Sequence, residues 1–249
     1  LSQVNYNRAL HLTGSYCGNL TALLSAHQSI GVPQPLLMFG TDEQKEKFLP
    51  RFRDGAISAF ALTEANAGSD PRAMTTAATP TEDGSHYVIN GEKLWCTNGT
   101  KANVIVVMAV TPPKIVRGKE RKQITAFLVE MDTPGVEVLH RCRFMGLKAL
   151  YNGVIRFTDV KIPKENMILE EGDGLRLALK TLNTGRLSIP AGVTGSSKWC
   201  MKINRKWTNK RVQWGHPIGE HETIAGKQAK IASDTFAMDA VWKVASTMA

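Results

Sequence analysis

Between Phe60 and Asp70 the chain reads Phe-Ala-Leu-Thr-Glu-Ala-Asn-Ala-Gly-Ser-Asp, and from Trp95 to Gly99 it reads Trp-Cys-Thr-Asn-Gly. These two stretches are rich in small residues and hydroxyls, in an order no generic core needs. Ala67-Gly68-Ser69 lets backbone come close to a flat or anionic ligand. Thr63, Ser69 and Thr97 offer hydroxyls, and Trp95 offers an aromatic wall. The chemistry these residues suit is the lining of a ligand site. Plainer readings stand beside it: Asn66-Ala67-Gly68-Ser69-Asp70 is good turn chemistry by itself, and a strand Trp more often packs than binds.

Such residues need strands to hold them, and residues 56–165 read as β. Tyr87-Val88-Ile89 leads into Asn90-Gly91 and then Glu92-Lys93-Leu94-Trp95, which predicts a hairpin turning at Asn90-Gly91. Val104–Val110, Ile124–Val129, Val136–Leu139 and Val154–Phe157 predict further short strands, punctuated by Gly, Pro, Asp and Asn. This spacing predicts an antiparallel barrel or sandwich. Residues 1–55 read as helical, with a break at Gly31-Val32-Pro33. Thr41 and Gln44 have the spacing of a capping box, opening a helix that should yield near Pro50 or Gly55. After residue 166 the pattern is helical again. Thr184-Gly185 is expected to loosen or bend the first segment. Gly215-His216-Pro217 should break it, and a new helix should run from Ile224 to Val244. A helix–β–helix order is the α+β class, here in three parts: 1–55, 56–165 and 166–249.

The 249 residues carry 31 Lys and Arg against 22 Asp and Glu, a net charge of +9. The charge is spread, with its densest runs at Lys114–Lys122 and Lys198–Arg211. The first, beside Pro112-Pro113 and Gly118, reads as a solvated hairpin loop, and the second as the basic face of a helix. A basic surface also suits a ligand carrying several phosphates. Zinc-finger spacing, an aromatic RNA-binding box and a helix-turn-helix pattern are all missing, so nucleic acid is not the expected partner. No apolar run reaches the ~18 residues of a membrane span. Cys17, Cys96, Cys142 and Cys200 are far apart, which predicts reduced thiols in an intracellular compartment and no metal site. The opening Leu1-Ser2-Gln3 reads as an internal start.

The chain resembles the acyl-CoA dehydrogenase family over its whole length. Thr63-Glu64 through Ser69-Asp70, Asn90-Gly91-Glu92-Lys93, Trp95–Gly99 and Val160–Asn166 carry the resemblance in the β region. Ala26–Gly31, Leu36–Gly40 and Leu182-Asn183-Thr184-Gly185-Arg186 look most like the long- and very-long-chain members. Ordered, widely spaced matches are a far more specific signal than one short motif. The resemblance implies an N-terminal helical domain, a central β domain and a C-terminal four-helix bundle. The chain would span the last helices of the first, all of the second and the first part of the third. It also implies FAD as cofactor, acyl-CoA as substrate and electron-transfer flavoprotein as redox partner. The assembly would be a homodimer or homotetramer, in bacterial cytoplasm or mitochondrial matrix, with a peripheral place at a membrane left open.

Residue by residue, Phe60, Leu62, Thr63, Gly68, Ser69, Trp95 and Thr97 match family positions that line the flavin and the acyl-CoA entrance. Ser69 would also serve the thioester or pantetheine side. Arg211-Val212-Gln213-Trp214-Gly215 resembles the family's Arg-x-x-Phe-Gly, which receives the pyrophosphate and adenine end of a neighbouring subunit's FAD; Arg211, Gln213 and Trp214 are the residues carried over. A guanidinium suits a pyrophosphate through paired, charge-assisted bonds. Thr111, Asn183 and Arg186 match positions near the acyl-CoA chain. Some members place the catalytic base immediately before the Arg that matches Arg186, where this chain has Gly185; most place it on a later helix. Glu64, Glu170, Glu171, Glu220 and Glu222 read as solvent-face or loop residues, so the base is expected beyond Ala249. The same fold would also serve an acyl-CoA oxidase, a flavin monooxygenase or a non-enzymatic assembly protein.

Overall fold

The computed structural model describes residues 2–249, with Gln28 and Val116 by backbone alone. Four helices come first: α1 (Gln3–Gly14), α2 (Gly18–Gln28), α3 (Pro33–Phe39) and α4 (Asp42–Arg53). Eight strands follow: β1 (Ser58–Ala61), β2 (Ala77–Pro80), β3 (His86–Cys96), β4 (Val104–Val116), β5 (Lys119–Glu130), β6 (Val136–Arg141), β7 (Gly153–Pro163) and β8 (Met167–Ile168). The chain then returns to helix in α5 (Gly174–Lys210), crosses a small hairpin of β9 (Val212–Gln213) and β10 (His216–Pro217), and ends in α6 (Glu222–Met248). The contacts divide it into two units, Ala26–Asn183 and the residues up to Ser25 with Thr184–Ala249.

In the first unit the strands form one sheet in the order β6-β7-β3-β2-β4-β5-β8, with β1 also paired to β4. The pairing is mostly antiparallel, but β1 and β2 both lie parallel to β4. Tyr87 of β3 and Phe127 of β5 are three strands apart along this path, which in a flat sheet is about 14 Å. Their ring centroids are 4.9 Å apart. The sheet therefore curls until one face closes on itself, around Ile89, Ile105, Val107, Phe127, Ile155 and Phe157. Its other face is covered by helices. Val104, Val106, Met108, Ala126 and Leu128 pack there with Leu36 of α3, Phe48 of α4 and Leu177 of α5. Residues 104–109 are all fully buried, odd-numbered ones in the first core and even-numbered ones in the second. That is why β4 reads as an unbroken apolar run with no alternation.

The capping box of α4 is as its spacing predicts. Gln44 N–H donates to Thr41 Oγ1 at 3.2 Å, and Thr41 N–H donates to Gln44 Oε1 at 3.1 Å. The Gln44 amide also donates to the carbonyls of Glu165 and Met167, both at 2.8 Å, so the cap doubles as a tertiary tie. The basic run 114–122 lies on a hairpin whose two-residue turn, Arg117-Gly118, has φ of 53° and 73°, the positive pair of a type I′ turn.

Asn90-Gly91 does not turn the chain. β3 runs straight through it, paired to β7 with a register shift between Ile89 and Gly91. The Asn90 side chain bonds across the sheet to Asp159, donating to its carboxylate at 3.1 Å and accepting from its N–H at 2.8 Å. Gly91 has φ 146° and lies so close to Thr76 that a Cβ there would sit 2.7 Å from the Thr76 Cα. The pair that signals a hairpin turn here instead faces a bulge in β7, where Thr158 and Asp159 oppose Asn90 alone, and makes a close backbone approach at Gly91.

The second unit packs α1 against the later part of α5 at backbone distance. A Cβ on Gly14 would meet the Gly192 carbonyl oxygen at 2.1 Å, and one on Gly195 would meet that of His11 at 2.0 Å. Asn7, fully buried, donates to the Leu187 carbonyl at 3.1 Å and to Ser246 Oγ of α6 at 2.6 Å. The His11 ring stacks on Trp242 at 5.2 Å. α5 does not break at Thr184-Gly185; it is continuous for 37 residues, through Gly185 and Pro190. A helical Gly costs about 1 kcal/mol, which such packing readily outweighs.

Candidate functional site

The end of β1 and the end of β3 lie side by side and form one wall. Leu94 N–H donates to the Thr63 carbonyl at 2.8 Å, Cys96 Sγ to the Phe60 carbonyl at 3.4 Å, and Asn98 Nδ2 to the Ser58 carbonyl at 3.2 Å. Burial pushes the Cys96 thiol up to about 12, so it stays a donor. This brings Phe60, Leu62 and Thr63 together with Trp95 and Thr97. Glu64 and Ala67 exchange backbone bonds of 3.0 and 3.2 Å, closing a tight turn that presents Gly68 and Ser69 to solvent. Among the described residues, the hydroxyls of Thr63, Ser69 and Thr97 bond to no other protein group.

Trp95 is not packing. It is 58% exposed, and its φ is +56°, a region bulky residues rarely occupy. The cause is a bulge in β3 itself. Lys93 pairs with Ile155 and Cys96 with Gly153, so Leu94 and Trp95 together face the single residue Val154. An aromatic held outward in a costly backbone conformation points to a functional constraint.

Beneath this wall lies a feature the sequence did not reveal. Glu64, expected on a loop or solvent face, is only 8% exposed, and Lys93 is fully buried. Lys93 Nζ donates to Glu64 Oε1 at 2.8 Å and to the Leu62 carbonyl at 3.2 Å. The same carboxylate accepts from Thr75 N–H at 2.7 Å, Thr75 Oγ1 at 2.9 Å and Thr76 N–H at 3.0 Å. Burial alone would raise the Glu64 pKa, but the bonds from Lys93, Thr76 and Thr75 outweigh it and hold the carboxyl at about 2. Burial pulls the Lys93 pKa down, partly offset by the Glu64 bond, which raises it.

An acid-stability prediction follows. The folded carboxyl titrates near 2, and the unfolded one near its ordinary 4.5. The stabilisation is therefore complete above pH 4.5 and is lost as pH falls toward 2. It amounts to about 3 kcal/mol. Urea midpoints of the wild type should fall across that window, and Glu64→Gln should fall less steeply. Equal slopes would show that Glu64 is not held ionised.

A second, basic feature is a cleft of about 710 Å³ in the same unit. It is lined by Arg72, Glu120, Arg121, Lys122 and Ile124, then by Gly172, Leu175, Arg176, Leu179 and Lys180 at the start of α5. Lys122 is tied down, donating to the carbonyls of Arg72 at 2.8 Å and Met74 at 2.6 Å. Arg176 is paired with Asp173 at 3.1 Å. Arg72, Arg121 and Lys180 are left to face a ligand. Only the charge run at 114–122 hints at this site; no spacing in the chain groups Arg72 and Lys180 with it.

The remaining expected residues fall elsewhere. Thr111, expected at an acyl-CoA entrance, is 1% exposed and shares a 2.8 Å bond with Thr125, whose Oγ1 also accepts from Gly172 N–H at 3.1 Å. Its hydroxyl is committed inside the sheet and lines no entrance. Asn183 and Arg186 are exposed on α5. Arg211, Gln213 and Trp214 belong to the other unit, at the β9–β10 hairpin. Trp214 is 88% exposed in a tight turn with φ 52°, its ring edge-on to His221 at 5.5 Å. Among the described residues, no three His, Cys, Asp or Glu side chains cluster to hold a metal, and no helix is long and apolar enough to cross a membrane.

Three family models match the chain in order: acyl-CoA dehydrogenase N-terminal domain over residues 1–56, middle domain over 59–160 and C-terminal domain over 172–249. A Mycobacterium tuberculosis protein named "Probable acyl-CoA dehydrogenase FadE10" is 53% identical over 249 residues, which is 100% of this chain and 38% of that protein. The mitochondrial very long-chain specific acyl-CoA dehydrogenase of Rattus norvegicus is 37% identical over 93% of this chain and 36% of its own length. Butyryl-CoA dehydrogenase from Megasphaera elsdenii superposes with a TM-score of 0.89 at 33% identity, covering 99% of this chain and 63% of that one. An acyl-CoA dehydrogenase complexed with FAD from Bacillus anthracis gives a TM-score of 0.82 at 35% identity, over 92% of this chain and 38% of that one. The chain thus spans well under half the length of the curated relatives it matches.

Proposed function

This chain belongs to the acyl-CoA dehydrogenase family, and from that premise we propose that the whole protein oxidises saturated, long-chain acyl-CoA to trans-2-enoyl-CoA with FAD. The observation that carries this reading is the wall itself. Trp95 is turned out of the core by a bulge, and beside it the hydroxyls of Thr63 and Thr97 are uncommitted. A flat heterocycle with polar edges fits that donor set, since it takes a ring face and a row of hydrogen bonds. Bound flavin would supply the acceptor for the hydride leaving the β carbon. The chain's own residues would bind and orient the reactants. Phe60, Leu62, Thr63, Trp95 and Thr97 hold and orient the ring. Gly68 and Ser69 allow close approach on the thioester side, and Asn183 and Arg186 receive the CoA chain. Arg211, Gln213 and Trp214 take the pyrophosphate and adenine end of a second subunit's FAD, in a homodimer or homotetramer. The preference for long chains draws on the very long-chain relative, and electron-transfer flavoprotein is the proposed redox partner.

The base that removes the α proton is assigned outside these residues. Glu64 is locked in its ion pair, and Glu171 is bonded to Tyr87 and paired with Lys114 at 2.9 Å. Neither carboxylate is available to a substrate carbon.

The test is the visible spectrum of the full-length protein before and after anaerobic addition of palmitoyl-CoA. A flavin band that bleaches is the expected result. A band that stays oxidised, or no flavin after FAD is supplied, sinks the proposal. The basic cleft adds a binding prediction. Arg72, Arg121 and Lys180 suit the phosphates of CoA through charge-assisted contacts. Replacing all three with Gln should weaken CoA binding by about tenfold or more and flatten its salt dependence. An unchanged Kd would place the phosphates elsewhere.

A further inference from the structure

The outer face of the last turns of α5 carries two parallel rows. Trp199, Ile203 and Trp207 are four residues apart, and so are Lys202, Lys206 and Lys210. On a helix each step of four turns by about 40°, so each row runs nearly straight for about 12 Å, and a step of three sets the rows about 60° apart. The opposite side turns inward: Thr208 is buried, and Met201 and Asn204 are half-buried. Trp199, Ile203 and Trp207 are 43%, 51% and 55% exposed, and the three lysines are exposed beside them. Tyr16, in the link between α1 and α2, continues the aromatic row, stacked on Trp199 at 6.4 Å. Lys202 Nζ lies 5.1 Å from the centre of the Trp199 ring. The chain has no Asp or Glu between Asp173 and Glu220. On α6, Asp239 is taken by Lys198 and Lys243. Among the described residues, no carboxylate pairs with Lys202, Lys206 or Lys210.

We infer that this face docks on an anionic lipid surface, with the Trp-Ile-Trp row in the interfacial layer and the lysines on the headgroups. Scattered apolar side chains on a surface are ordinary, but a contiguous row of them marks a place of contact. The row of lysines decides what makes that contact. The core of a protein interface favours Trp but is depleted in Lys, whose ammonium is strongly hydrated. At a lipid surface the two belong together. Indole rings are favoured at headgroup level, and lysine stems lie along apolar surface while the ammonium stays at the charged layer. A face of one sign also suits the negative charge of anionic lipid. The two rows therefore fit lipid better than a second copy of this chain. Both lie in the other unit from the wall around Trp95, so the docking does not depend on the flavin.

The test is co-sedimentation of the full-length protein with vesicles of mixed phosphatidylcholine and phosphatidylglycerol, against vesicles of phosphatidylcholine alone. Binding to the mixed vesicles that falls with salt is the expected result. Lys202→Gln/Lys206→Gln/Lys210→Gln should weaken it by about a hundredfold, at about fivefold per lysine. Trp199→Ser/Trp207→Ser should weaken it by about tenfold or more. Brominated acyl chains in the mixed vesicles give a readout that needs no loss of binding: they should quench the tryptophan emission of the wild type more than that of Trp199→Phe/Trp207→Phe. A wild type that ignores the mixed vesicles overturns the inference. So does binding that either the glutamine or the serine variant leaves unchanged, or quenching that the phenylalanine variant leaves unchanged. A wild type that ignores the vesicles, while the serine variant sediments as a smaller assembly, gives the face to a second copy instead.

Discussion

Lys93→Ala should destabilise the Ala26–Asn183 unit by about 3–5 kcal/mol at neutral pH, the cost of leaving one member of a buried ion pair alone. That is a large share of the 5–15 kcal/mol typical of a whole domain. The Glu64 carboxylate keeps its bonds from Thr75 and Thr76 but loses its ion-pair partner. It can escape the penalty only by taking up a proton, so its pKa should rise from about 2. The deficit relative to wild type should therefore shrink as pH falls, which separates a charge effect from a packing effect. Urea unfolding at pH 7 and pH 4 measures both quantities. A loss under about 1 kcal/mol, no larger than an exposed pair contributes, would mean that the two charges are not buried together.

Gly91→Ala should be nearly as damaging, by about 3 kcal/mol or more. Two costs combine there. The φ of 146° is open only to glycine in practice, and the new Cβ would lie 2.7 Å from the Thr76 Cα and 2.8 Å from its Cβ. Neither contact is the tip of a flexible side chain, so the backbone itself must give way. Gly118→Ala is the matched comparison. Its φ is 73°, but nothing lies within 4 Å of the added carbon, so only the conformational cost of about 1 kcal/mol remains. Equal losses at the two sites would show that the close approach to Thr76 contributes nothing.

What the sequence made legible was local. The α4 cap, the breaks at Gly31-Val32-Pro33 and Gly215-His216-Pro217, and the strands around Val104 and Ile124 rest on neighbours within a few residues of each other. Asn90-Gly91 carries the signal for a two-residue turn, but the Thr76 backbone and the bulge at Asp159 of β7, both remote in sequence, keep it inside a strand. Glu64 looked like a loop carboxylate because its partner Lys93 is 29 residues away. Thr111 and Thr125 hide a similar pairing across β4 and β5. The family resemblance singled out the wall residues, but it did not show that Trp95 faces outward through a strained bulge. The free cations of the cleft come from three separate segments, which no spacing rule joins.

β4 lends its odd-numbered side chains to the closed interior of the sheet and its even-numbered ones to the layer beneath the helices. Neither layer can come apart while the other stays whole, because losing the strand empties both. The Ala26–Asn183 unit should therefore have no half-open form with one layer intact. Its backbone amides along 104–109 should exchange with deuterium only through global opening, setting a single rate for the whole sheet.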